Sequence, residues 1–176
     1  MDGVRALVER LHAALARCET DAARATAAEQ CLRSGLPAID ELTAEQRAGA
    51  PDRYVQHVLH VQDEPRFSLL AIVWPPAQQT TVHDHVCWGA VAVLQGSERE
   101  TRFELERAGQ ATAVLRPVRQ QTYLPGEVCS FAPPHDIHQV LSHEGGTTIS
   151  LHVYGADIER LGSSVKSTYP PGLVRS

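Results

Sequence analysis

TTVHDHVCWGAVAVLQG, residues 80–96, is the stretch whose reading decides this chain. It is apolar and strand-like except for His83, Asp84 and His85. Alternate side chains of a strand share a face, so His83 and His85 point one way while Val82 and Val86 point the other. Two imidazoles so placed can take adjacent positions on one metal ion. A single strand histidine is ordinarily structural, but a third one far downstream changes the weighing. His138 stands in GEVCSFAPPHDIHQV, residues 126–140, after a turn that holds Pro133 and Pro134. Ile137 and Val140 give it a strand-like setting, whereas His135 falls in the turn itself and is the poorer ligand candidate. His12, His57, His60 and His143 have no comparable spacing and read as helix, packing or surface residues. Three neutral ligands on one side of a metal leave its opposite positions open.

Outward from this stretch, the texture from Arg53 onward is that of strands. The runs YVQHVLHV (54–61), RFSLLAIVWP (66–75), ERETRFELE (98–106), QATAVLRPV (110–118), EVCSFAPP (127–134) and TTISLHVYG (147–155) flank it. Turn residues separate them, at Asp63–Pro65, Ala108–Gly109, Pro125–Gly126 and Glu144–Gly146. Short strands with regular turns imply a mainly β protein, a closed barrel or jelly roll. Residues 1–50 read instead as helical. Val4, Leu7, Val8, Leu11 and Leu15 fall on one helical face. Thr20 or Asp21 can cap a second helix, which Gly35 and Pro37 end. Thr43 and Gln46 have capping-box spacing for a short third helix before Gly49 and Pro51. This segment is expected to cover one side of the barrel. The expected organisation is one domain over residues 1–176: a helical segment at 1–50, a β-barrel at 53–160 and an irregular tail at 161–176.

The charge balance is mildly acidic, 16 Lys+Arg against 21 Asp+Glu for a net −5, with Lys166 the only lysine. Nucleic acid and anionic membranes call for a basic face, which this composition does not supply. No apolar run is long enough to span a bilayer. The amino-terminal residues lack the basic start and apolar core of a secretory signal. Cys18, Cys31, Cys87 and Cys129 are scattered, with no CxxC pair. The expectation is a cytoplasmic protein with reduced thiols. The sequence leaves its oligomeric state undetermined.

HDHVCWGAVAVLQG and GEVCSFAPPHDIHQV together resemble the two motifs of the cupin superfamily. SLHVY (150–154) sharpens the likeness, because Ser150, His152 and Tyr154 alternate on one strand face. The combination resembles the cysteine dioxygenase type I family of thiol dioxygenases. The likeness runs from about Tyr54 to Gly155. It implies a cupin jelly roll in which His83, His85 and His138 bind Fe(II). It implies that Ser150, His152 and Tyr154 form a relay whose tyrosine hydroxyl enters the iron site. The implied reaction adds both atoms of O2 to the sulfur of a small thiol, giving a sulfinic acid. Many cupins carry a glutamate ligand shortly after the second histidine. Here Val86, Cys87, Trp88 and Gly89 fill that stretch, so the metal keeps its full positive charge for an anionic sulfur.

Departures from the family pattern bear on the substrate. Ala90 matches the cysteine that animal cysteine dioxygenases cross-link to their tyrosine, so that cross-link is absent. Cys87 is nearer the site and reads chiefly as a small apolar filler. Gln56, beside Tyr54, stands where cysteine dioxygenases use an arginine against the substrate carboxylate. The glutamine, Trp88–Gly89 and Tyr154–Gly155 are closer to bacterial 3-mercaptopropionate dioxygenases. Those enzymes place an arginine beyond the tyrosine; Arg160 comes somewhat early for that role, and Ser163 and Ser164 fall near the matching position. Tyr54, Gln56 and Arg160 are the substrate-binding candidates. Two readings compete with the thiol dioxygenase: a noncatalytic or sensory metal-binding cupin, and a three-histidine cupin enzyme acting on a non-thiol. The Ser-His-Tyr alternation favours an enzyme over the noncatalytic cupin, and thiol-dependent oxygen uptake would separate the thiol dioxygenase from the non-thiol enzyme.

Overall fold

A computed structural model describes residues 2–108, 112–143 and 145–175. The turns expected at Gly109 and Glu144 lie outside the described residues.

Among the described residues, ten strands form two antiparallel five-stranded sheets, preceded by helices. The helices are α1 (Asp2–Leu15) and α2 (Asp21–Ser34). The strands of the first sheet, in spatial order, are β1 (Val55–Gln62), β2 (Phe67–Trp74), β9 (Thr148–Tyr154), β4 (Gly89–Gln95) and β7 (Val128–Phe131). Those of the second are β10 (Val165–Tyr169), β3 (Val82–His85), β8 (His138–Ser142), β5 (Glu98–Ala108) and β6 (Thr112–Tyr123). The architecture is mainly β and cupin-like, with α1 and α2 at the amino-terminal end.

The two-residue period of the strands sorts side chains between two environments. On β2, β4 and β9, Leu69, Ala71, Val73, Ala90, Ala92, Leu151 and Val153 face the helices. They join Leu7, Leu11, Leu15, Ala28 and Leu32 in one buried cluster. Helices of 14 residues are marginal alone, so burial holds this layer in place. Each fully buried leucine contributes roughly 1.5–3 kcal/mol. Thr20 caps α2 by accepting the Ala23 amide at 3.2 Å, and Gly35 ends it. The opposite faces of the same strands carry Ile72, Trp74, Val91, His152 and Tyr154 into the barrel interior.

Three expectations need correction. Thr43 and Gln46 exchange both capping-box bonds, at 2.9 and 3.2 Å, yet the backbone makes only a turn there. Gly49 and Pro51 stop it before a helix can grow. The 80–96 stretch is not one strand: it bends after His85 and passes from the second sheet to the first. The tail is not irregular. Residues 165–169 pair antiparallel with β3, placing Val165 opposite His85 and Thr168 opposite His83. That pairing satisfies the edge of β3, which would otherwise present open backbone groups. A short helix, α3 (Ile158–Leu161), precedes it, capped by Asp157.

Candidate metal centre

His83 and His85 leave β3 on its inner face, while Val86 on the other face is 50% exposed. His138 opens β8 directly opposite His83. The three histidines are buried, and one ligand nitrogen from each lies within 4.8 Å of the other two. The Nε2 atoms of His83 and His138 are 3.2 Å apart. Neither nitrogen has another protein partner to explain that approach, and a shared cation between them would.

Each Nδ1 is held from behind. His83 Nδ1 lies 2.9 Å from the Thr81 carbonyl. His85 Nδ1 lies 3.0 Å from Asp136 Oδ2, and His138 Nδ1 2.7 Å from Glu100 Oε1. All three partners accept, so each ring donates from Nδ1 and turns the lone pair of Nε2 inward. This is the tautomer a metal requires. Burial holds His83 down to about 3, helped by the neighbouring His138. Burial also lowers His85, although Asp136 opposes it. Those two rings are therefore uncharged and ready to ligate at neutral pH. Burial would raise Glu100, but His138 and Arg102 outweigh it and hold the carboxyl at about 2. Glu100 thus stays an acceptor. Phe131 stacks on His85 with ring centroids 4.2 Å apart, which fixes that ring from its face.

Ser150, His152 and Tyr154 lie along one face of β9, all buried. Ser150 Oγ is 2.9 Å from His152 Nε2, and His152 Nδ1 is 3.1 Å from the Tyr154 hydroxyl. Trp74 Nε1 donates to Ser150 Oγ at 3.1 Å, a member that sequence reasoning missed. Burial takes His152 down to about 3 and pushes the Tyr154 hydroxyl up. Both are therefore neutral.

The three imidazoles, with His152 and Tyr154 of the relay, line one cavity of about 220 Å³. That is below the ~300–1,000 Å³ typical of pockets for drug-sized ligands, and suits a small substrate. Tyr54 and Gln56 line it too, Tyr54 packing on Trp74 at 4.8 Å. Arg160 does not: it is exposed at the end of α3, and Ser163 and Ser164 form the wall there. The short helix carries the arginine outward before the chain returns to the cavity. Cys87 is packed beside Leu70, Phe131 and Tyr154, and burial raises its thiol to about 12. It is a filler rather than a ligand. Asp136, Glu98, Glu100 and Cys129 were not anticipated. The signal for Asp136 was its place two residues before His138; for the glutamates, it was their alternation in ERETR.

The sequence profile of cysteine dioxygenase type I matches residues 36–162. This chain belongs to the cysteine dioxygenase type I family. The match covers more than half of the sequence and takes in every cavity-lining histidine. Membership in that family and the three-histidine site together make the protein a cupin metal-dependent dioxygenase. Among solved structures, a cupin superfamily protein from Desulfitobacterium hafniense is similar, with TM-score 0.49 and 13% identity over 70% of this chain and 92% of its own. Ectoine synthase from P. lautus is similar at TM-score 0.48 and 12% identity, over 78% of this chain and 91% of its own.

Proposed function

We propose that this chain is an Fe(II)-dependent thiol dioxygenase, converting a small thiol and O2 into a sulfinic acid. The observation that carries this reading is the convergence of three back-anchored imidazoles and a Ser-His-Tyr relay on one small cavity. Imidazole donors suit iron, and His83, His85 and His138 would hold it. Ferrous iron, when bound, supplies redox capacity and a positive charge that favours thiolate over thiol.

The chain's own residues do the rest. With no carboxylate among the ligands, the centre retains a charge that an anionic sulfur can neutralise. Asp136 and Glu100 keep two of the ligand rings in register and in the correct tautomer. In the direction that serves the cavity, Trp74 donates to Ser150, whose proton goes to His152 Nε2. Neutral His152 then donates from Nδ1 to the Tyr154 oxygen. The tyrosine proton is left for the substrate side, where it can steady developing negative charge on oxygen. Tyr54 and Gln56 would contact the rest of the thiol.

A noncatalytic metal-binding cupin would have no use for the relay, which is why the enzyme reading is preferred. The motif likeness to bacterial 3-mercaptopropionate dioxygenases leaves the substrate's tail unassigned, since Arg160 lies outside the cavity. A cytoplasmic setting, with all four cysteines free, is part of this reading. No helix among the described residues is long and apolar enough to cross a membrane. The test is an oxygen-electrode screen of the iron-loaded protein against a panel of small thiols, with mass detection of sulfinates. Oxygen uptake that depends on a thiol is expected. Uptake with a diketone but no thiol would overturn the proposal.

A further inference from the structure

Ser150, His152 and Tyr154 occupy successive inward positions on β9, about 7 Å apart along the strand. The Tyr154 end is near the imidazoles, its ring centroid 6.2 Å from that of His85. The Ser150 end lies two positions further along. Every member is neutral, so the hydrogen bonds of this chain can run in either direction. They reverse only when a proton enters or leaves at an end. Two side chains meet the Ser150 end. Trp74 Nε1 donates to it at 3.1 Å, and an indole N–H can only donate. The other is Glu98 of β5, whose carboxyl stands beside Ser150 and Trp74.

Glu98 is 4% exposed, and its Oε1 has no hydrogen-bond partner. An unfilled acceptor makes the charged form costly, so the carboxyl takes up a proton readily. Burial raises it to about 7, with Ser150 and Trp74 opposing this and Glu100 adding to it. The titratable groups around it are Glu100 on its own strand, Tyr123 on β6, Cys129 on β7 and His152 on β9. Against burial, His138 and Arg102 hold Glu100 at about 2. Burial takes His152 down to about 3 and pushes Tyr123 and Cys129 up. Those groups keep their protonation state near neutrality, while Glu98 exchanges its proton there. None of the described residues lining the cavity is lysine or arginine, so no cation among them pins the charge of Glu98.

We propose that Glu98 is the inner end of the Ser150–His152–Tyr154 relay, a positioning residue that takes the substrate thiol's proton and so turns the relay toward the substrate. This rests on the thiol reading of the metal site. With Glu98 charged, Ser150 donates to it, His152 Nε2 donates to Ser150, and Tyr154 donates to His152 Nδ1. The tyrosine oxygen then offers a lone pair to the cavity. The S–H proton passes to that oxygen, each member hands its own proton inward, and Glu98 becomes the neutral acid. Sulfur is left as thiolate, and the interior gains no net charge. The relay now runs outward, with Tyr154 presenting its O–H to the substrate. Ser150 accepts from Trp74 in both states. After the sulfinate leaves as an anion, the proton returns by the same route to solvent.

The test counts protons rather than turnover. The iron-loaded protein is titrated with 2-mercaptoethanol without oxygen, in weak buffer at about pH 8, where Glu98 is charged and the free thiol is protonated. A pH indicator reads the protons released per thiol bound. The parent is expected to release well under about half a proton, and Glu98→Gln about one. Ser150→Ala leaves Glu98 in place but cuts the route, so it should also release about one. By linkage, thiol affinity should stay nearly level from about pH 7.5 to 8.5 in the parent and rise about tenfold per pH unit in Glu98→Gln. Iron content checks that each variant is folded and loaded; if neither loads, the parent's count decides alone. A full proton released by the parent would overturn the proposal, as would variants that release as little as the parent. Either result leaves the thiol reading standing. No binding of 2-mercaptoethanol or of any other small thiol would remove that reading, and this proposal with it.

Discussion

Asp136 Oδ2 lies 3.0 Å from His85 Nδ1 and 2.9 Å from the backbone amide of the same residue. One carboxylate oxygen therefore fixes both the ring and the strand of a ligand. Burial raises Asp136, but its bonds to His85 outweigh this and hold it below the ordinary carboxylate range. Asp136→Asn keeps the shape and removes the charge. Metal affinity is expected to fall by about 10–100-fold, read by competition with a metal chelator. Unchanged affinity would show that the carboxylate serves the fold alone.

Tyr154 is buried and tied to His152 at 3.1 Å. Its hydroxyl is not among the metal ligands. Tyr154→Phe should therefore retain metal at the parent stoichiometry and slow turnover about 10²-fold. Metal analysis and steady-state rates measured together separate the two effects. Parent-like turnover would remove the relay from the chemistry.

Gly89 has room for hydrogen only, because a β-carbon there would collide with the ring of Phe131. Phe131 is buried and stacked on His85, so the collision has no cheap relief. Gly89→Ala is expected to cost about 1–3 kcal/mol in unfolding free energy. It should also weaken metal binding through the displaced ring. A stable variant with normal metal affinity would show that Phe131 can move without disturbing His85.

Gln56 lies on the cavity wall in an exposed position on β1. Its contact with a substrate tail would be much the same before and during reaction. Gln56→Ala should raise KM about three- to tenfold with kcat little changed. An unchanged KM for every accepted thiol would take Gln56 out of the binding site.

Much of this was legible in the sequence, and for physical reasons. His83 and His85 share a strand face by the pleat alone, and Ser150, His152 and Tyr154 do so by the same rule. Leu7, Leu11 and Leu15 declare a buried helical face. The parts that were not legible depend on partners distant in the chain. VKSTY reads as tail until β3 is seen to need an edge partner, although its alternation and Val165, Thr168 and Tyr169 were a usable strand signal. The bend after His85 is invisible because the residues on either side are equally apolar. Glu98 and Glu100 sit in a charged run that resembles a solvated strand. Only the closure of the barrel turns that face inward, to His138 in one case and to an unfilled hydrogen bond in the other.

In the proposed reaction, sulfur is the atom oxidised at the three-histidine centre. The most direct measurement is a single-turnover reaction of iron-loaded protein with its best thiol under oxygen-18 gas, followed by mass analysis of the product. Both oxygen atoms of the sulfinate are expected to carry the label, and His138→Ala should give none of it. Disulfide as the sole product, or a sulfinate labelled from water, would contradict the account.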